Sequence, residues 1–253
     1  SAWTERDRLT GVVVRGLASG RHTLIEAPFF IDATPDGDLL ALAGVEHVIG
    51  AESRAETGEP HAAEEADTSD QQSITVCFAM EHLPGEDHTI DRPRQYDFWR
   101  EFTPPGWPGP LLGWATPDPA THETLNRRLF EAPDNLPWWR FRRILDRDCF
   151  EPGFAVSDIT VVNWPQNDYW FGPVCGAAPP ERARNLEAAR QLSLSLLYWL
   201  QTEAPRPDGG QGYPGLRLRG DVVGGTPDGL AAPYVRESRR IRAEFTVLEQ
   251  HIA

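Results

Sequence analysis

The chain has 253 residues, 40% of them hydrophobic, with nine Trp and eleven Phe, which is enough for one large domain or two small ones with a real core. A net charge of −14 argues against nucleic acid as a partner, since phosphate binding needs a basic surface. All 24 basic residues are Arg, so a catalytic Lys, a Schiff base and a phosphate-loop Lys are excluded.

The first residues, Ser1 to Asp7, show no charged-then-apolar leader pattern, and no apolar run approaches the roughly 20 residues of a membrane span. A cytoplasmic protein that does not enter the membrane is expected. No initiator Met is present, so the chain reads as processed or as a piece. Leu9 to Glu26 predicts a β-hairpin, with Val12-Val13-Val14 as one arm, Ser19-Gly20 as turn and Thr23-Leu24-Ile25 as return.

Phe29 to Ile31 reads as a buried strand, followed by a polar turn and a helical pattern at Leu39, Leu40, Leu42 and Ala43. Asp36 and Asp38 fall near the positive end of that helix. Strand, turn and helix N-terminus together predict backbone N–H groups facing an anionic ligand. An ordinary βα corner has the same pattern.

Ala51 to Gln72 is rich in Glu, Ala, Asp and Thr and reads as a solvated loop. Ser73 to Met80 alternates and predicts a strand. From Asp91 to Trp170 the chain is dense in aromatics and proline, which predicts long loops pinned by rings. Within it, Asn163-Trp164-Pro165-Gln166-Asn167-Asp168-Tyr169-Trp170 sets three amides among aromatics. Amides donate and accept while ring faces stack, so the segment suits a polar organic ligand or a sugar. A turn sealed by aromatics fits it as well.

Glu181 to Thr202 is the best helix, opened by Pro179-Pro180, with Leu186, Ala189, Leu192, Leu196, Trp199 and Leu200 on one face. It reads as a packing helix. Tyr234 to Val247 predicts a strand, in which Arg236, Ser238 and Arg240 share one face and Glu237 and Arg239 the other. A surface strand with paired Arg and Glu has the same look.

Cys77, Cys149 and Cys175 are far apart with apolar neighbours, which predicts reduced, buried thiols. The seven His form no HxH or HxxxH pair, so no metal site is expected.

Three segments carry a resemblance. Phe30-Ile31-Asp32-Ala33-Thr34 with Asp36-Gly37-Asp38-Leu39 resembles the "(F/Y)-I-D-A-T-G-D-G-D-L" signature of a family of FAD-dependent oxidoreductases with a Rossmann-type flavin domain. Asn163 to Tyr169 resembles the "N-W-P-x-N-D-Y" stretch of a subset of that family, and Tyr234 to Ile241 resembles its "Y-(I/V)-R-E-S-R-R-I" element. The resemblance implies FAD as cofactor, held near Asp32, Ala33, Thr34, Asp36, Gly37 and Asp38. It also implies a small organic substrate, met by Asn163, Asn167, Arg236 and Arg239. Pro35 stands where the family has glycine, so an N–H or a positive φ used there would be lost.

No G-x-G-x-x-G fingerprint occurs. The resemblance therefore implies the middle of a longer flavoenzyme, a piece that alone would be inactive. The expected fold is α+β / α/β, a partial Rossmann-type FAD domain with an inserted mixed α+β substrate domain. Residues 1–49 would end the FAD-binding domain, 50–229 would form the inserted substrate region, and 230–253 would return toward the FAD domain. The alternative is a carbohydrate-active or carbohydrate-binding domain using Trp and Tyr platforms and carboxylates. The oligomeric state is not legible.

Overall fold

A computed structural model describes residues 1–130, 136–224 and 226–252. It is a mixed α/β structure with several small sheets. The chain divides into two compact units: residues 1–72, 172–182 and 235–253, and residues 73–171 and 183–234. Among the described residues no helix is long and apolar enough to cross a membrane.

The first unit opens with a three-stranded antiparallel sheet, Ala2–Glu5, Arg8–Arg15 and His22–Glu26 in that order. The expected hairpin is its second and third strands, in register from Gly11 opposite Glu26 to Arg15 opposite His22. Gly20 turns the corner at φ 67°, a left-handed conformation that costs glycine nothing. The additional strand Ala2–Glu5 is reached by the tight turn at Arg6-Asp7.

Phe29 to Ile31 is not a strand. It is irregular, and Phe29 and Ile31 are about nine-tenths exposed (88% and 92%). Among the described residues no neighbouring strand satisfies its backbone, and an apolar run alone does not make a ladder. The helix appears at Asp38–Ala43, closed by Gly44 in the left-handed conformation.

Residues 51–72 are more ordered than a solvated loop. A short helix, Arg54–Thr57, is fixed by a capping box in which the Ser53 N–H donates to Glu56, and Ala51 bridges to Asp67. Of the predicted Tyr234–Val247 strand, Tyr234 and Val235 fall in the strand Pro233–Val235, and Arg240–Ile241 pairs with His47–Val48. Arg236 to Arg239 lies outside any strand, so the predicted sharing of faces fails there. Arg240 explains part of this, because its guanidinium reaches the Gly50 carbonyl, Glu52 and Glu237.

The second unit holds most of the core. A four-stranded sheet runs Leu216–Leu218, Phe78–His82, Ile159–Val162, Arg143–Leu145, with antiparallel neighbours throughout. The predicted strand at Ser73 to Met80 is two strands, Ile74–Val76 and Phe78–His82, parted at Cys77. Both faces of these strands are buried, so their alternation carries no exposed side.

The helix Pro179–Thr202 begins at the proline pair, where missing N–H groups cost no helical bond. Leu192, Leu196, Leu197 and Leu200 are fully buried, each contributing roughly 1.5–3 kcal/mol of burial free energy. Its polar buried residues act as ties. Ser193 donates to the Val76 carbonyl at 2.6 Å, and the Gln201 amide donates to the His88 and Leu216 carbonyls while accepting from Ile90 N. Trp99, Trp138 and Trp164 fill the remaining core, Trp138 stacked on Trp164 with centroids 4.9 Å apart.

Of the three free cysteines, Cys175 is buried, Cys77 half-buried and Cys149 exposed. The expectation of three buried thiols is corrected at Cys149, which lies in a surface 3₁₀ turn at Arg147–Cys149.

Candidate functional site

The Asp32 to Asp38 segment folds as a turn wrapped around its own carboxylates. Asp32 accepts from the Thr34 N–H at 3.0 Å and from the Thr34 hydroxyl at 2.7 Å. Its other oxygen accepts from the N–H groups of Leu39 (2.9 Å) and Leu40 (3.3 Å). The Thr34 hydroxyl accepts from the Asp38 N–H at 2.8 Å.

The first three amides of the helix are thus taken by the chain itself, which corrects the expectation of N–H groups facing an external anion. The negative charge that suits this helix end is Asp32. Burial pushes the Asp32 carboxyl up, but the bonds from Thr34, Leu40 and Leu39 more than offset it and leave it below the ordinary carboxylate range.

Pro35 fits this turn. Gly37 N donates to the Thr34 carbonyl, so Pro35 sits at the first corner, where a fixed φ near −65° is favoured and no N–H is called for. Positive φ is needed at Gly37, which has φ 62°. A Cβ there would meet the Arg239 Cβ at 3.1 Å and its carbonyl at 3.3 Å.

Asp36 is buried, 6% exposed, and pairs with Arg182. Its backbone carbonyl accepts from Arg239 at 2.6 Å, and the Cys175 thiol lies 3.6 Å from the same oxygen. Burial raises the Cys175 thiol above its ordinary range, Asp36 adding to this and Arg239 opposing it. Arg239 also lies 3.5 Å from the exposed Asp38 carboxylate. The first unit thus brings Asp36, Gly37, Asp38 and Arg239 together. Ala33 is exposed.

A cavity of about 960 Å³ lies in the same unit, lined by Arg6, Arg8, Phe29, Phe30, Asp32 and Leu39 among others. The sequence reading missed Arg6 and Arg8. Their signal was the polar run Thr4 to Arg8 between Trp3 and Leu9, the pattern of a tight turn between strands, with Arg6 held at φ 57°.

These residues fit a flavin nucleotide in part. Asp36 Oδ1 is buried without a hydrogen-bond partner among the described residues, an acceptor left over for a hydroxyl donor. The helix amides, by contrast, do not fit a phosphate.

In the second unit, Asn167 is fully buried. Its carbonyl oxygen accepts from Trp164 N at 2.8 Å, and its amide donates to the Val76 carbonyl and the Ser193 hydroxyl. It closes the Pro165–Asn167 turn from inside. A full set of internal bonds is what a buried amide needs. Asn163 is half-buried, and its carbonyl accepts from Arg142 at 3.0 Å. Arg236 is half-buried in the first unit.

Among the described residues no group of three His, Cys, Asp or Glu could hold a metal ion. No finding supports the carbohydrate reading.

No curated protein and no solved structure matches the chain. The model of the family described as FAD dependent oxidoreductase matches residues 1–253. With the whole chain covered, the protein belongs to the FAD dependent oxidoreductase family, and its cofactor is FAD.

Proposed function

We propose that this chain carries the cofactor-side turn and the substrate region of an enzyme that moves hydride between flavin and a small organic substrate. Residues 1–49 and 230–253 belong to a partial Rossmann-type flavin domain, and residues 50–229 form an inserted substrate region. The observation that carries this reading is the bond from Arg239 to the Asp36 carbonyl, which joins the first and third motifs across 203 residues.

When bound, FAD supplies the hydride-accepting or hydride-donating ring. The protein's own groups then have separate tasks. Asp36 Oδ1, buried without a hydrogen-bond partner among the described residues, would accept a cofactor hydroxyl. Asp32 and Thr34 hold the turn that presents Asp36. Arg6 and Arg8 bring positive charge to the cavity beside that turn, where a pyrophosphate is attracted.

Arg239 positions the Asp36–Asp38 turn. Arg236 in the first unit and Asn163 in the second are the substrate-facing candidates, each on its own unit. A guanidinium can hold a substrate carboxylate bidentately. The partial-domain reading gains support from Leu17, Phe29 and Ile31, large apolar side chains that the first unit leaves exposed.

The test is flavin retention by the full-length enzyme. Asp36→Ala is expected to weaken FAD binding about tenfold, the loss of one hydrogen bond to a charged group. Unchanged affinity would remove Asp36 from the cofactor site. Anaerobic bleaching of the bound flavin by small hydroxy acids, amines or alcohols tests the hydride step, and bleaching only by oligosaccharides would overturn the substrate class.

A further inference from the structure

The second unit holds a cavity of about 640 Å³ that the flavin reading does not use. Its walls are rings. The His82 and Phe130 centroids are 4.7 Å apart, those of Phe130 and Tyr213 are 5.4 Å apart at 75°, and those of His82 and Tyr213 are 6.3 Å apart at 83°. The His82 and Phe130 rings are tilted by 39° and Tyr213 stands steeply to both, which makes a corner of an aromatic box, extended by Pro84 and Pro214.

His82 stands at the C-terminal end of the strand Phe78–His82. Its backbone N–H is held by the Ser157 hydroxyl at 3.3 Å. Neither ring nitrogen has a hydrogen-bond partner among the described residues. Burial, with help from Arg206, pushes the imidazole below its ordinary range, so the ring is neutral at neutral pH. A neutral imidazole adds an aromatic face and a free polar atom without adding charge.

The charges around the box are Glu86, Asp87, Asp208 and Arg206, three carboxylates against one guanidinium. Arg206 is already committed to Asp208, its Nε donating at 3.1 Å. Its Cζ stands 5.8 Å from the Tyr213 ring centroid, so the fold itself places a cation against this wall. Glu86 is bonded to His88 at 2.7 Å. Asp87 is exposed, has no salt-bridge partner among the described residues, and is kept ionised by the hydroxyl and N–H of Thr89.

We propose that this cavity binds an organic cation, an ammonium carrying alkyl or ring substituents. Ring faces attract a cation through their quadrupoles, and most strongly where water is excluded. The unmatched carboxylate of Asp87 supplies the counter-charge. The surplus of negative charge disfavours an anion of the same shape. This site lies wholly within the second unit and does not depend on the flavin reading.

The experiment is calorimetric titration of the full chain with benzyltrimethylammonium, benzyl alcohol and phenylacetate. The cation is expected to bind about tenfold tighter than either comparator, within the range of cation–ring contacts. Asp87→Asn and Phe130→Leu are each expected to weaken the cation several-fold and to leave the alcohol unchanged, with thermal unfolding midpoints as controls for folding. Equal affinity for the three probes, tighter binding of phenylacetate, no binding of any probe, or cation binding untouched by both substitutions would each overturn the proposal.

Discussion

Arg239 donates to the Asp36 carbonyl at 2.6 Å, and the Cβ that Gly37 lacks would sit 3.1 Å from the Arg239 Cβ. The turn and the returning segment are therefore built against each other. One supplies a guanidinium, and the other keeps a side chain out of its way.

Gly37→Ala tests this packing. The left-handed φ of 62° costs a non-glycine residue about 1–2 kcal/mol, before any contact with Arg239. A loss of stability in that range is expected in urea unfolding, with weaker FAD retention in the full-length enzyme. An unchanged midpoint would mean that the turn yields freely.

Asp32 makes an acid-side prediction. Its folded-state carboxyl lies below the ordinary value, since the bonds from Thr34, Leu40 and Leu39 outweigh the effect of burial. A depressed carboxyl contributes stability above its unfolded value of about 3.9, and that contribution is lost as pH falls through the lower folded value. Asp32→Asn is expected to be less stable at neutral pH and to lose less on acidification below about pH 4. Parallel acid limbs for the two proteins would refute the capping role.

Asn167 separates a structural from a catalytic reading. With three internal bonds and no exposure, Asn167→Ala should cost about 1–3 kcal/mol of stability. Calorimetric unfolding checks it. A variant of normal stability that had lost turnover would instead favour a substrate contact at Asn167.

Glu81 is the buried charge of the four-stranded sheet, 1% exposed, bonded to Arg217 at 2.6 Å and lying 3.2 Å from Arg219. Both arginines reach solvent, so losing the carboxylate strands no buried cation. Arg217→Ala leaves the buried carboxylate with Arg219 still beside it and should cost more, about 2 kcal/mol, than Glu81→Gln at about 1 kcal/mol. The order of the two unfolding midpoints decides it.

Part of the fold was legible because its causes are local. The hairpin followed from Val12-Val13-Val14, Ser19-Gly20 and Thr23-Leu24-Ile25, and the long helix from two prolines and a periodic leucine face. Phe29 to Ile31 and the stretches of Tyr234 to Val247 outside Tyr234-Val235 and Arg240-Ile241 misled because a strand exists only where a neighbour accepts its bonds, and no composition reports that neighbour. Cys149 misled because apolar neighbours in sequence are not neighbours in space.

The linear motifs by themselves determined the family and its cofactor, together with the elements whose turn chemistry and periodicity lie within a few residues. Tertiary structure alone decided where those motif residues lie and what they bond. It turned Asp32 onto its own helix, sank Asn167 into the core, set Arg239 on Asp36, and gathered His82, Phe130 and Tyr213 into one box. Those outcomes depend on burial and pairing between residues tens to hundreds of positions apart, and such distances close only when the chain folds.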